Sequence, residues 1–228
     1  METTTYTLAQ VAKTIDSALL KPEMTIEQVI AGCEMAKKYH VASICCRPAD
    51  VSLVAEQLRG SDVLVGTVIG FPHGSSATKV KIFETELAIQ EGAVEIDMVI
   101  NIGYMKSGRH EAVRAEIRSI VSAAAGFPVK VILENAYLTK EEIVLACQLA
   151  EEAGAHYVKT STGFAPSGAT LEDVKLMRAS VSPKVKIKSA GGVKNLDMLL
   201  EFMEAGVDRS GASATAEMLD EYVARFGV

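Results

Sequence analysis

The stretch PVKVILENAYLTKEEIVLACQLAEEAGAHYVKTS, residues 128–161, holds the pattern that decides the fold. From Pro128 to Glu134 the side chains alternate, with Val129, Val131 and Leu133 on one side and Lys130, Ile132 and Glu134 on the other. A period of two is that of a β-strand. From Thr139 the period lengthens, and Ile143, Ala146, Cys147 and Ala150 form the apolar stripe of a helix. Thr139 and Glu142 have the spacing of a capping box at its start, and Gly154 supplies its stop. The run HYVKTS, residues 156–161, then reads as a second strand.

The same unit recurs along the chain. The other strand candidates are TIDSALL (14–20), ASICC (42–46), VLVGTVIGF (63–71), VEIDMVIN (94–101), KVKIKSA (184–190) and VDRSGAS (207–213). Helical patterns such as TIEQVIAGCEMAKKY (25–39) and KVKIFETELAIQEG (79–92) lie between them. Strand starts fall at roughly 27-residue intervals, the length of a βα unit. No Pro/Gly/Ser-rich linker interrupts the series, so residues 1–228 are expected to form a single domain. Eight units in a chain near the usual barrel size predict an α/β fold of the (β/α)8 TIM-barrel type. A doubly wound open sheet is the competitor, weakened because no Gly-x-Gly-x-x-Gly follows the first strand. In such barrels chemistry sits at the C-terminal ends of the strands and in the loops beyond them.

Composition narrows the function. The chain has 228 residues, 49% of them hydrophobic, enough for one large core, and its net charge of -6 comes without a basic stripe. Nucleic-acid and membrane-surface partners are therefore not expected. The first residues, METTTYTLAQ, lack the order of a signal peptide, and no apolar run is long enough to span a bilayer. Cys33, Cys45, Cys46 and Cys147 show no metal-ligand or disulfide-scaffold spacing, so no metal is expected and a reducing cytoplasm is the default.

Alternation then separates strand faces. In VEIDMVIN, Ile96, Met98 and Ile100 share one side, and Glu95, Asp97, Val99 and Asn101 the other; in KVKIK, Val185 and Ile187 oppose Lys184, Lys186 and Lys188. The apolar sets belong under the helices, so the charged sets line the barrel. Asp97, Glu134, Lys159 and Lys188 are thus expected to point inward near the ends of neighbouring strands. A structural lattice of ion pairs is one reading. Chemistry is the other, because two lysines on consecutive strands repel each other and a purely structural network gains nothing from that. An amine attacks a carbonyl only when unprotonated, whereas a free lysine titrates near about 10.4. Burial and a neighbouring ammonium both push that value down. A shift of about three units is roughly 4 kcal/mol, within reach of the two effects together. Lys159 is then the nucleophile, Lys188 the partner that lowers its pKa, and Asp97 the proton-transfer group.

The loops after the last three strands fit a phosphate. TSTGF follows Lys159, SAGGVK follows Lys188, and SGASATAEML follows the final strand. Glycines and small hydroxyls ahead of helix N-termini present N–H groups to an anion, and barrels hold phosphates in this region. Together with the inward lysines they point to a phosphorylated carbonyl substrate. Cys45 and Arg47, one parity step apart, are expected to border the pocket, Cys45 in a packing role.

These residues resemble those of the deoxyribose-phosphate aldolases of the short bacterial type, from about Ile15 to the last helix. The resemblance is carried by LLKP (19–22), TVIGFP (67–72), EIDMVINIG (95–103) with KSG (106–108), VKTSTGF (158–164), GAT (168–170) with EDVKLMR (172–178), AGGV (190–193) and GAS (211–213). It implies a (β/α)8 barrel and a class I mechanism, in which a lysine Schiff base with acetaldehyde forms an enamine that adds to glyceraldehyde 3-phosphate. It further implies Lys159 as the Schiff-base former, Lys188 and Asp97 in the roles above, and phosphate contacts from Gly163, Gly191, Gly192 and Ser213. It implies no metal or organic cofactor.

The chain departs from the family pattern at several strand ends. Ser17-Ala18 stand where His-Thr is usual, Cys46-Arg47-Pro48 where Val-Asn-Pro is usual, and Asn135 replaces a threonine. Lys194 stands for an arginine, Ser210 for a bulky apolar residue, and the last tyrosine, Tyr222, lies inside the final helix rather than in a tail. Loss of a hydroxyl at Ala18 and gain of a cation at Arg47 are expected to alter how substrate hydroxyls are read. A divergent or engineered variant acting on other aldehydes, a non-catalytic phosphosugar-binding barrel, and an isomerase with Glu134 as base stay open as alternatives. His73, in FPHGSS, reads as a solvated loop residue. The assembly is left open, a homodimer being common for such barrels.

Overall fold

The computed structural model describes residues 4–227. In chain order the elements are α1 (Leu8–Ala12), β1 (Ile15–Leu19), α2 (Ile26–Tyr39), β2 (Ser43–Cys46), α3 (Val51–Gln57), β3 (Leu64–Ile69), α4 (Thr78–Gln90), β4 (Glu95–Val99), α5 (Ile102–Lys106) and α6 (His110–Ala123). They continue with β5 (Val129–Ile132), α7 (Lys140–Glu152), β6 (Tyr157–Lys159), α8 (Leu171–Ser180), β7 (Lys186–Ala190), α9 (Leu196–Glu204), β8 (Arg209–Ala212) and α10 (Thr215–Phe226).

The signals read in residues 128–161 act as expected. Thr139 and Glu142 form a reciprocal capping box at the start of α7, each side chain accepting from the other's N–H. Losing such a cap costs about 1 kcal/mol. Gly154, at φ +87°, turns the chain out of the helix at no steric cost. The stripe Ile143, Ala146, Cys147 and Ala150 is buried, as are Val129, Val131 and Leu133 on the strand it covers. Burying a side chain of this kind contributes roughly 1.5–3 kcal/mol.

The strands are all parallel and close into one barrel in sequence order, with β1 pairing to β8. The (β/α)8 expectation is met. Ile96, Met98 and Ile100 pack with Val129, Val131, Val158 and Ile187 in the layer between strands and helices. The opposite faces fill the barrel with polar side chains, and Lys130, Lys159 and Lys188 are among the largest fully buried groups.

Parity holds only where a strand is enclosed. Lys184 precedes β7, and Lys186 opens it; both are exposed. Lys186 still shares the inner face, since its ammonium lies 5.6 Å from the Tyr157 ring, but at the open N-terminal end water solvates it. Asn101 has left its strand to cap α5, accepting from the Tyr104 N–H. Among the described residues no helix is long and apolar enough to cross a membrane.

Candidate active site

Asp97 at the end of β4 collects the ammonium groups that parity sends inward. Lys159 donates to its Oδ2 at 2.6 Å and Lys188 donates to the same oxygen at 2.7 Å. Lys130 stands 3.4 Å from its Oδ1. Lys159 and Lys188 are directly level on adjacent strands, which is why they meet at one acceptor.

Below them lies a lattice of which the sequence had disclosed only pieces. Asp16 on β1 accepts from Lys188, from Lys130 at 2.9 Å and from Arg209. Glu95 accepts from Lys130 at 2.7 Å and from Arg209 at 2.9 Å. The structural and the chemical readings of the interior charges therefore both apply, at different depths. Asp16, Glu95 and Asp97 face the cations Lys130, Lys188 and Arg209, so the cluster balances when Lys159 carries no charge. A proton on Lys159 adds a cation that nothing in the lattice offsets.

The proton equilibria follow. Burial pushes the Lys159 pKa down, the Asp97 carboxylate pulls it back up, and Lys188 pushes it down again; the net shift is downward. Burial also acts to lower Lys188, but Asp16 and Asp97 outweigh it, so Lys188 titrates above the ordinary lysine value and stays cationic. Burial raises Asp97, and Lys130, Lys159 and Lys188 reverse this to hold it far below the usual carboxylate range. Burial and charge thus shift one lysine towards the free amine and its neighbour towards the ammonium.

A cavity of about 790 Å³ opens above this cluster. Lys159, Lys188, Cys45, Gly163, Gly191, Gly192 and Ser213 all line it, so the structure brings these candidates together. Gly163, Gly191 and Gly192 hold φ values of +88°, +77° and +81°, which favour glycine. The loops after β6 and β7 touch: a Cβ at Gly168 would come within 2.0 Å of the Gly191 carbonyl oxygen. The Ala169 N–H donates to that oxygen at 2.9 Å. Gly168 entered the sequence reading only within GAT, and no local signal marks such a contact.

Cys45 Sγ lies 3.9 Å from Asp97 Oδ2, and burial together with that carboxylate raises its thiol pKa, consistent with a packing role. Glu134 does not join the lysines. At φ +58° it turns away, and its carboxylate accepts from the Thr162 N–H at 3.1 Å and from the Thr162 hydroxyl. Burial raises its pKa. It braces the loop that carries Thr162, itself a lining residue.

Arg47 is a correction. It follows the end of β2, where strand parity no longer sets direction, and it is absent from the cavity lining. Its Nε donates to Asp50 at 2.6 Å, and its Nη1 donates to the carbonyls of Lys21, Pro22 and Met24. Nearby acceptors have taken Nε and Nη1, two of the nitrogens expected to read a substrate hydroxyl. Of the other departures, Ala18 lines the cavity, Ser17 accepts from the Thr215 hydroxyl, and Ser210 is bonded to Ser189 at 2.9 Å outside the lining. Asn135 and Lys194 are also outside it, the latter exposed; so is His73. The Tyr222 hydroxyl donates to the Tyr6 carbonyl, remote from the lysines along the final helix.

Comparison with known proteins places the chain in a family. The family described as DeoC/LacD family aldolase matches residues 8–222. A deoxyribose-phosphate aldolase of Staphylococcus epidermidis is 52% identical over 208 residues, covering 91% of this chain and 94% of its own. The crystal structure of a putative deoxyribose-phosphate aldolase from Coccidioides immitis superposes with a TM-score of 0.92 at 38% identity, covering 95% of this chain and 87% of its own. A deoxyribose phosphate aldolase from Aeropyrum pernix, described as a unique tetramer, superposes at 0.88 with 29% identity, over 95% of this chain and 92% of its own.

Proposed function

Because the chain belongs to the DeoC/LacD family of class I aldolases, which are lyases, we propose that Lys159 is its Schiff-base lysine and 2-deoxyribose 5-phosphate its substrate. The single observation that carries this reading is the Lys159 amine, buried to 2% exposure at the floor of the cavity with its pKa lowered. Unprotonated at the working pH, the amine attacks the aldehyde carbon of the open-chain sugar. Protonation of the adduct's hydroxyl, which then departs as water, leaves a protonated imine.

The imine is an electron sink for the next step. As the bond between the second and third carbons breaks, its electron pair moves into an enamine, and the hydroxyl proton on the third carbon must depart. Asp97, 2.6 Å from the Lys159 nitrogen, is placed to accept and return protons by way of Lys188 or a bound water. Glyceraldehyde 3-phosphate leaves first. The enamine then takes a proton on carbon, and hydrolysis frees acetaldehyde and the amine. Gly163, Gly191, Gly192 and Ser213, which line the cavity, hold the phosphate through backbone N–H groups and one hydroxyl.

Borohydride reduction in the presence of acetaldehyde tests the reading. The expected result is a mass gain of one reduced two-carbon unit on Lys159, absent in Lys159→Met, which also loses turnover. A barrel that only binds phosphosugars gives no adduct. An isomerase using Glu134 keeps its activity in Lys159→Met, and either result refutes the aldolase assignment to Lys159.

A further inference from the structure

Two loops whose strands do not pair meet beside the cavity. The rings of Phe71 and Phe164 touch edge to face, with centroids 5.3 Å apart and planes at 87°. Phe71 follows β3 and Phe164 lies in the loop after β6, and β4 and β5 stand between those strands in the barrel. The contact therefore bridges the strand that carries Asp97 and its neighbour. Phe164 lines the cavity that also holds Lys159, yet it is 48% exposed. It faces both the cavity and bulk water, as a wall does.

A ring on a loose loop shields little, because ordering the loop costs conformational entropy. Both of these loops are held. On the β3 side, the Gly70 N–H donates to the Glu84 carboxylate at 2.7 Å, and the Gly74 N–H donates to the Gly70 carbonyl at 2.7 Å. Gly74 packs so closely on the exit of β4 that a Cβ there would collide with the Ile100 carbonyl oxygen. Lys81, fully buried, lies against Gly70 and donates to the Val99 carbonyl at 2.8 Å and to Glu116 at 2.9 Å. That ion pair is outside the cavity lining; it fastens the loop of Phe71 to the end of the strand that carries Asp97. On the β6 side, the Phe164 N–H donates to the Thr162 hydroxyl oxygen at 3.0 Å, and that hydroxyl donates to Glu134.

We propose that the Phe164 ring is the wall that keeps bulk water from the Lys159 imine and its enamine, and that Phe71 is a positioning residue that holds this ring in place. The inference rests on the aldolase reading above and adds a control on the fate of the two-carbon enamine. Sheltered, the enamine adds to the acceptor aldehyde. Reached by water, it takes a proton on carbon, and water then adds to the imine and frees acetaldehyde and the amine. Excluding water therefore favours the carbon–carbon bond.

The test is a ratio measured in deuterated water: deuterium entering the acetaldehyde methyl group per aldol product formed with glyceraldehyde 3-phosphate. It is extrapolated to saturating acceptor, so that weaker acceptor binding does not enter. Phe164→Ala raises the ratio about tenfold, and Phe71→Leu, which removes the edge-to-face contact, raises it about threefold. Phe71→Tyr keeps the ring and leaves the ratio unchanged. The double variant of Phe164→Ala with Phe71→Leu rises no further than Phe164→Ala alone, because Phe71 acts through the other ring. Phe164→Leu shifts the ratio in the same direction and serves if the alanine variant does not fold. A merely structural role lowers exchange and product together, so an unchanged ratio in the Phe164 variants overturns the wall. Additive effects, an unchanged ratio in Phe71→Leu, or a Phe71→Tyr that behaves like Phe71→Leu overturns the role of Phe71. Borohydride trapping of acetaldehyde runs alongside. Failure of the unmodified protein to form the adduct refutes the aldolase reading, whereas intact trapping with a constant ratio refutes only this inference.

Discussion

Lys159 and Lys188 donate to one oxygen, Oδ2 of Asp97, at 2.6 and 2.7 Å. A single acceptor between two amines keeps them close enough for each to feel the other's charge. Asp16 then breaks the symmetry, because it binds Lys188 and not Lys159. The proton therefore favours Lys188, and Lys159 is the amine that the proposed mechanism uses for attack.

Asp97→Asn separates the first covalent step from proton transfer. Without the carboxylate Lys159 loses the partner that favours its charged form, so the acetaldehyde adduct still forms. Turnover falls by about 10²–10⁴, the usual worth of a positioned acid–base group. Trapped adduct, turnover and exchange of the acetaldehyde methyl hydrogens into deuterated water are measured together. Full turnover in this variant removes Asp97 from the mechanism.

Lys188→Met shifts the pH dependence. Lys188 is one of the groups holding the Lys159 pKa down, and its removal leaves Asp97 to Lys159 alone. The Lys159 pKa rises, so less free amine is present at neutral pH. The acid limb of adduct formation moves to higher pH, and alkaline buffer recovers part of the yield. A limb that does not move means Lys188 acts in some other way than through its charge.

Asp16→Asn is expected to cost about 3–5 kcal/mol at neutral pH, since it strips a partner from buried Lys188 and Lys130 and from half-buried Arg209. Those cations, outweighing the effect of burial, depress the folded-state pKa of Asp16 well below its ordinary 3.8. The stability it contributes is thus fully present above the unfolded value and lost as pH falls through the folded one. Urea denaturation of both proteins gives a gap that is constant above about pH 5 and narrows only below the unfolded value. A gap already closing near neutrality contradicts the assignment.

Thr162→Val leaves the Glu134 carboxylate without its hydroxyl partner, a cost of about 1–3 kcal/mol. Burial raises the folded pKa of Glu134 above its ordinary 4.5, so folding favours the protonated form and the charged form weighs against stability as pH rises. The destabilisation by Thr162→Val is accordingly larger at pH 7 than in acid. Equal losses at both pH values point to lost packing instead.

The barrel was legible because its signals are local. Alternation in VKVILE and EIDMVI, the capping box at Thr139 and the stop at Gly154 each act over a few residues, and each appears where expected. Lys159, Lys188 and Asp97 were legible as inward groups for the same reason. The resemblance carried by VKTSTGF added a role for Lys159 that parity alone left open. Arg47 was misjudged because alternation ends with the strand, after which the nearest acceptors choose the direction of a long side chain.

What the chain's order of residues determined by itself is which side chains enter the barrel and which lie under helices, a consequence of the two-residue repeat. Only the closed structure decided who meets whom inside. Asp16 and Arg209 are nearly the whole chain apart and are joined because β1 closes on β8. The stagger of strands around a barrel sets such meetings, and no short stretch encodes it. Which of two buried lysines keeps its proton is a sum over that assembled set of charges, and so belongs to the folded molecule alone.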